Sequence, residues 1–281
     1  MRIKFVVAML FVVFGGATVW AGETEQDIIN RYTKKIEKKH VNHTSWFSTN
    51  FTINRINRDN DYNKFATYQT AYLNNSELTW LNTSKSFGAD FGLLVTPKIA
   101  WTLGGEFWGK FGQTLNGTFT YTPPNSGAVQ VTDPESKISV YGITSGMQYF
   151  IYNAPGKNSV ASKPSVHLSS TVGYYNATWD VWNEYQNLNL STSTPAGTNS
   201  AFKGNTVGFT FGLGGDYPLK VWGLSMGFDM HYLYLNFKNV AWYNTAGQEI
   251  VATYNDTPEG RVTLGLSGVR GKLELKKYFT W

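Results

Sequence analysis

The sequence contains no cysteine and few charged residues, and both shortages narrow what the chain can be. Charged residues make up 15% of its 281 residues, against about 25% in typical soluble domains. Without a thiol there is no disulfide framework, no thiol catalysis and no cysteine-ligated zinc site. A hydrophobic content of 42% excludes an intrinsically disordered chain.

Long apolar runs are also missing, apart from one at the N-terminus. Arg2 and Lys4 precede an apolar run over residues 5–14, and Ala21 supplies a small residue for cleavage. This pattern predicts a signal peptide over residues 1–21. A membrane-anchoring helix is the alternative, but it needs about 20 apolar residues. Arg2 and Lys4 also contribute to the net charge of +5. Without them, the remaining chain is too weakly basic to suggest nucleic-acid binding.

Residues 22–43 are predicted to form a periplasmic leader with a short helix. Thr24 and Asp27 have the spacing of a helix-capping box, and lysines crowd the second half of the segment over residues 24–40, where cations suit the helix dipole. The segment is interpreted either as a solvated helix or as an amphipathic helix lying on the membrane surface.

From about residue 86 onward, large apolar residues alternate with small or polar residues, as in a strand with two different faces. The longest example covers residues 221–235, whereas soluble strands commonly have about 5–6 residues. Its second face includes Gly223, Ser225, Gly227 and Asp229. Such a face suits a crowded interior better than water, so the bulky face is predicted to contact lipid. A secreted β-sandwich is the alternative.

Short and long connections alternate between the predicted strands. Tight turns are predicted at residues 96–98 and 216–219, a moderate one at 153–163, and long polar loops over 112–135, 180–204 and 238–258. Outer-membrane barrels have short periplasmic turns and longer extracellular loops, so the alternation also predicts the orientation.

Strand counting predicts an all-β fold. Seven strands are predicted near residues 86–95, 99–112, 136–151, 164–179, 205–216, 219–237 and 259–281, with a phase change near Gly268 read as a bulge. Bacterial single-chain barrels have an even strand number, so one more strand is needed. It is predicted over residues 46–56, ahead of the other seven, with residues 65–73 as the alternative. The prediction is therefore a transmembrane antiparallel up-and-down β-barrel over residues 44–281, with ten strands as the alternative.

The C-terminus resembles a known assembly signal. Leu273, Leu275, Phe279 and Trp281 lie at alternate positions, interrupted by Lys277, as in the terminal signal of Gram-negative outer-membrane proteins. From about residue 44 onward, the chain resembles small outer-membrane barrels of the outer membrane protein A, W and X types. The resemblance implies an outer-membrane location, insertion by the outer-membrane assembly machinery with periplasmic chaperones, and contact with outer-membrane lipids and lipopolysaccharide.

Acidic and basic residues are predicted to face the interior, which side chains can fill in an eight-stranded barrel. They are Asp90, Glu106, Lys110, Asp229, His231, Arg270, Lys272 and Glu274. One interpretation is a set of buried ion pairs, because an unpaired charge there would be costly. The other is a narrow, charge-lined pore that selects ions.

Aromatic residues form two further candidate sets. An interfacial girdle is predicted from residues at strand ends: Trp101, Trp222, Tyr232, Tyr234, Tyr278 and Trp281. Aromatic residues in the long loops are candidates for recognition of an extracellular ligand: Tyr121, Trp182, Tyr185, Trp242 and Tyr243.

Catalytic signals are weak. His167 and Ser169 have the His-x-Ser spacing of the outer-membrane phospholipase and lipid A deacylase families, but both are predicted to face the interior and not the lipid. No metal site or cofactor is predicted, because the four histidines are not paired at ligand spacing.

The predicted function is therefore non-enzymatic. The barrel either has a structural role or lets a small solute or hydrophobic ligand pass. It is expected to be a monomer. Surface recognition or adhesion through the loops is the alternative, and a lipid-modifying enzyme is a third hypothesis.

Overall fold

The computed structural model describes residues 44–64, 80–114, 118–121, 129–155, 163–186, 200–219, 221–243, 247–250, 252–254, 257–260 and 262–280. The predicted signal peptide, the expected N-terminal helix and Trp281 lie outside the described residues.

Almost all of the described chain is β-strand, as the alternation of side chains predicts. The strands are β1 (Thr44–Ile56), β2 (Thr83–Leu94), β3 (Ile99–Thr114), β4 (Thr118–Tyr121), β5 (Val129–Tyr152), β6 (Ser165–Gln186), β7 (Ser200–Pro218), β8 (Leu224–Tyr234), β9 (Asn236–Tyr243), β10 (Glu249–Ile250), β11 (Ala252–Tyr254), β12 (Thr257–Gly260), β13 (Val262–Gly265) and β14 (Gly268–Thr280). Residues 61–64 add one helical turn.

Antiparallel pairing closes eight strands into a barrel. The ring runs β1, β2, β3, β5, β6, β7, β8 and β14, and β14 pairs with β1 from Thr44↔Thr280 to Ile56↔Gly268. The prediction of eight strands is confirmed, with residues 46–56 inside the first of them. Closure leaves no edge of the ring open to pairing with another chain.

Two wall strands are interrupted but keep their direction. Strand β8 continues into β9 beyond Leu235, and β13 continues into β14 beyond residues 266–267. The two breaks lie opposite each other, where the Leu266 amide donates to the Leu235 carbonyl at 2.8 Å. The phase change near Gly268 is therefore an irregularity within one strand and not a turn.

The two ends of the barrel differ in their connections. Residues 95–98, 153–164 and 219–223 join strands at the end where Thr44 meets Thr280, which we call the periplasmic end. Longer connections lie at the other, extracellular end. The loops predicted at this end are too long, because β5, β6 and β7 extend further than predicted. A fourth long connection, over residues 57–82, joins β1 to β2 at the same end.

The outward face is apolar around the barrel. Large exposed side chains occur on every strand of the ring, among them Phe47, Ile53, Phe87, Phe107, Tyr141, Ile143, Val172, Phe209, Phe211, Phe228, Met230 and Leu273. An apolar patch of this extent would be unstable in water but matches the hydrocarbon layer of a membrane. The bulky face therefore points outward, as predicted.

The lumen is filled by side chains in three layers. The periplasmic plug consists of Trp46, Ala100, Phe150 and Tyr278. Above it lies the charge ladder, which consists of Arg270, Lys272, Glu274 and Lys276 on β14 with their partners Glu106, Asp90 and Asp216. At the extracellular end, a larger apolar cluster, the extracellular core, includes Tyr62, Trp108, Tyr175, Trp179, Phe202, Leu235 and Phe237.

Candidate functional site

The charge ladder is built on the last strand of the barrel. Even-numbered residues of β14 from Arg270 to Tyr278 point into the lumen, because side chains alternate between the two faces of a strand. Arg270, Glu274, Lys276 and Tyr278 are at most 5% exposed. The three cations in this column reach carboxylates on three other strands, so the ladder ties the wall together across its interior.

Arg270 forms the uppermost rung of the ladder. Its two terminal nitrogens lie 3.2 and 2.5 Å from the two carboxylate oxygens of Glu106 on β3, the paired geometry that makes guanidinium–carboxylate contacts strong. The buried Tyr175 side chain interacts electrostatically with the same pair. A buried charge pair of this kind holds β14 and β3 at a fixed separation.

Tyr175 fits because glycines leave room for its ring. Gly142 on β5 is its cross-strand neighbour, Gly173 precedes it by two residues, and Gly208 lies on β7. A methyl group at Gly173 or Gly208 would lie 2.6 or 2.9 Å from the ring. The glycine-rich inner face therefore accommodates one large side chain across three strands.

Two lysines share Glu274 in the middle of the ladder. The Lys272 ammonium lies 2.7 Å from Asp90 Oδ2 and also contacts Glu274. The Lys276 ammonium lies 2.7 Å from Glu274 Oε2 and 2.8 Å from Asp216 Oδ1. Asn50 Nδ2 donates to Asp90 at 2.8 Å. Each charge is thereby compensated by a neighbour of opposite sign.

Asp216 connects the ladder to the periplasmic plug. The Tyr278 hydroxyl donates to Asp216 Oδ2 at 3.1 Å, and the Tyr278 ring packs 5.6 Å from the Trp46 ring. The predicted place of Tyr278 in the outward girdle is therefore wrong. Tyr278 has the same parity as Lys276, so it points inward, whereas Phe279 points outward.

A second buried polar cluster surrounds Asp229 on β8. His167 Nε2 lies 3.2 Å from Asp229 Oδ1, and His231 Nε2 lies 2.7 Å from Ser169 Oγ. Asp229 Oδ2 approaches the same His231 nitrogen at 4.0 Å. A catalytic triad needs the carboxylate on the other imidazole nitrogen, away from the serine. This cluster therefore lacks the triad arrangement.

The lumen brings together seven of the eight predicted ionic residues: Asp90, Glu106, Asp229, His231, Arg270, Lys272 and Glu274. The sequence analysis missed Asp216 and Lys276, although Lys276 continues the even-numbered series of β14. In the described part of the chain, no group of three or more His, Asp or Glu side chains is placed to hold a metal ion.

Lys110 is placed outside the lumen, so its predicted inward orientation is wrong. The pairing of β3 with β5 shifts register between Trp108 and Phe111, and a bulge of this kind reverses the faces that follow it. Phe111 consequently packs inward, with its ring 5.9 Å from that of Trp108, and Lys110 is exposed.

The extracellular mouth is covered by the start of the first long connection. The Tyr62 hydroxyl donates to the Ser136 carbonyl at 3.0 Å, and its ring lies 5.2 Å from that of Trp179. Asn63 Oδ1 accepts from the Leu81 amide at 2.6 Å, and Asp61 accepts from the Thr263 amide at 2.6 Å. We call residues 60–63 the mouth cap.

The predicted aromatic sets are placed as follows. Trp101, Trp222, Tyr232 and Tyr234 are exposed on the outside, and Trp222 is 81% exposed in a periplasmic turn. The loop candidates lie in strands, because the strands extend beyond the predicted loop boundaries: Tyr121 in β4, Trp182 and Tyr185 in β6, and Trp242 and Tyr243 in β9.

A closed eight-stranded barrel with an apolar outer surface, short turns at one end and long connections at the other has the architecture of outer-membrane-type β-barrels. No protein-family model and no curated protein matches the chain.

Several solved structures are similar to the chain. Ail of Yersinia pestis, in complex with the heparin analogue sucrose octasulfate, is 10% identical with a TM-score of 0.41, over 84% of this chain and 99% of that one. OprG of Pseudomonas aeruginosa is 13% identical with a TM-score of 0.41, over 85% and 96%. The protease OmpT of Escherichia coli is 10% identical with a TM-score of 0.37, over 86% and 98%.

Proposed function

We propose that the chain is a closed, non-enzymatic outer-membrane barrel whose task is performed by its extracellular end and outer wall. The observation that carries this proposal is the filling of the lumen at three successive levels. Trp46 and Tyr278 occupy the periplasmic level, the ion pairs of β14 the middle, and Tyr62 with Trp179 the mouth.

Passage of a solute would require all three layers to open. Separating Arg270 from Glu106, or Lys276 from Asp216, leaves charges buried without a partner, which costs several kcal/mol. The paired state is therefore favoured over a water-filled one. The same burial keeps Ser169 from an external substrate. Among the described residues, no carboxylate contacts the second nitrogen of its histidine partner.

Conductance in a planar bilayer tests the closed state. Refolded protein is first shown to migrate differently in detergent gels before and after boiling, and a general porin in the same bilayer serves as the positive control. We expect no discrete current steps. Steps that change in Glu106→Gln but not in Lys110→Gln would contradict the proposal, because only the first residue lies in the lumen.

Surface recognition is the second candidate function, favoured by the order at the extracellular end. The mouth cap is fixed to β5 and β13, and the Arg58 guanidinium lies 5.7 Å above the exposed ring of Trp80. Loops held on a rigid barrel are common recognition elements. Replacing Arg58 by Gln and Trp80 by Ala together is expected to lower binding to a glycan array while the barrel remains folded. Unchanged binding would contradict a role for these two side chains.

Assembly as a monomer by the outer-membrane machinery is part of the same proposal. Leu273, Leu275 and Phe279 are exposed on the outer surface of β14, where a receptor could read them before insertion. Closure of the ring by β1 and β14 removes the edges through which barrels could join. Cross-linking in native membranes is expected to give a monomer; a specific dimer band would contradict this.

A further inference from the structure

The barrel wall opens between β2 and β3 at its extracellular end. Pairing of these strands stops at Ser86↔Trp108. Beyond that point β2 continues to Thr83 against β1, and β3 continues to Thr114 against β5. The separation leaves a cleft of about 600 Å³, whose lining includes Ile53, Trp80, Lys85, Phe87, Lys110 and Phe111.

The cleft is amphipathic along the direction of the membrane normal. Its lower wall carries Ile53 and Phe87, which are 50% and 59% exposed and belong to the apolar outer surface. The next outward residues toward the extracellular end are Arg55 on β1 and Lys85 on β2, and Lys110 follows on β3. The cations therefore begin where the apolar surface ends.

Among the described residues, these three cations share one patch and have no carboxylate partner that would neutralise them. Lys272 and Lys276 are paired inside the lumen, and Lys64 is paired with Asp61. Among the described residues, no carboxylate lies within salt-bridge distance of Arg55, Lys85 or Lys110. Three neighbouring positive charges on one patch create a potential that favours an anion with several charges.

We propose that this cleft binds the phosphorylated headgroup of a glycolipid of the outer leaflet. Lys85, Lys110 and Arg55 would contact the phosphate groups, since ammonium and guanidinium groups are the usual phosphate ligands. The acyl chains would lie against Ile53 and Phe87. Basic pockets at a membrane border bind charged lipid headgroups by the same combination of charge and apolar contact. The proposal does not depend on whether the lumen conducts.

The occupant is a lipid and not a free anion because of the apolar lower wall. Inorganic phosphate would gain only from the cations and would make no contact with the apolar lower wall formed by Ile53 and Phe87. A lipid phosphate at the membrane surface satisfies both halves of the cleft. Lipid A, which carries phosphates on a glycolipid, is the suitable probe.

The test is binding of lipid A to the full chain in detergent micelles, measured by native mass spectrometry. The cleft variant combines Arg55→Gln, Lys85→Gln and Lys110→Gln. A matched control combines Lys98→Gln, Lys203→Gln and Lys238→Gln, which removes the same charge from exposed positions elsewhere. Gel mobility before and after boiling confirms that both variants are folded.

We expect the cleft variant to bind lipid A at least about tenfold more weakly, since each lost charge-assisted contact contributes more than an ordinary hydrogen bond. The single variants Lys85→Gln and Lys110→Gln should each show part of this loss. The control should bind like the wild type, dephosphorylated lipid A should bind weakly to all proteins, and millimolar inorganic phosphate should not displace lipid A. Equal binding by the cleft variant, an equal loss in the control, or full displacement by inorganic phosphate would overturn the proposal.

Discussion

The Arg270 guanidinium on the last strand binds both carboxylate oxygens of Glu106 on β3, although β1 and β2 separate these strands in the ring. The pair is almost completely buried. Each buried charge is therefore stabilised by the other. Removing either side chain leaves its partner as an unpaired buried charge.

Removing one charge of this pair is expected to destabilise the barrel strongly. Glu106→Gln leaves the Arg270 charge buried without its carboxylate, and we expect a loss of about 3–5 kcal/mol in the free energy of unfolding. Urea unfolding in detergent, followed by tryptophan fluorescence, measures it.

The double variant Glu106→Gln with Arg270→Met provides the control. Because the double variant leaves no unpaired charge, it should recover part of the stability lost in Glu106→Gln. The losses measured for Glu106→Gln and Arg270→Met singly should therefore not add. Additive losses would show that the two side chains do not stabilise each other.

Gly92 is predicted to be indispensable for the periplasmic plug. A methyl group at this position would collide with the Trp46 indole, so Gly92→Ala forces the ring out of place and should cost about 1–3 kcal/mol. Gly105→Ala is the matched control on the neighbouring strand, because its methyl group would meet only the Gly142 carbonyl oxygen, at 3.7 Å. Equal unfolding midpoints for the two variants would contradict the packing around Trp46.

Two substitutions of Tyr62 should weaken the mouth cap to different extents. Tyr62→Phe removes the hydroxyl that donates to the Ser136 carbonyl and should cost about 1 kcal/mol. Tyr62→Ala also removes the ring from Trp179 and should cost about 3–5 kcal/mol. Limited proteolysis of residues 57–82 should accelerate in the same order. Tyr149→Phe, on the lipid-facing surface, is the control, and a rate equal to that of Tyr62→Ala would argue against the cap.

Ser169 is expected to be inert toward a fluorophosphonate probe. Its hydroxyl is buried against His231, and Asp229 approaches the wrong nitrogen to complete a triad. Ser169→Ala should instead lower stability by about 1–3 kcal/mol, because a buried imidazole nitrogen loses its partner. Labelling of the wild type that disappears in Ser169→Ala would contradict both the non-enzymatic proposal and the closed lumen.

The sequence predicted the wall of the barrel well, because the two-residue period alone separates lipid-facing from lumen-facing side chains. That rule placed Glu106, Arg270 and Glu274 inside. It failed at Lys110, since a register shift between Trp108 and Phe111 leaves no mark in the alternation itself. The prediction for Tyr278 fails for a different reason: an aromatic residue near a strand end favours the girdle, whereas its parity with Lys276 places it in the lumen.

The mouth cap could not be predicted from the sequence. Asp61, Tyr62 and Asn63 stand in a polar segment without periodicity, and their contacts to Thr263, Ser136 and Leu81 join distant parts of the chain. The β2–β3 cleft was hidden in the same way, because it depends on where one pairing stops and not on the residues of either strand.

The position of the cations on β14 has a consequence for the integrity of the chain. Asp90, Glu106 and Asp216 lie on β2, β3 and β7, but the cations that neutralise them all lie on β14. A chain truncated before residue 270 therefore keeps three acidic side chains in its interior and loses their cations, which is costly. Only a chain that carries its last strand can form a stable barrel, so the ion pairs distinguish a complete molecule from a truncated one.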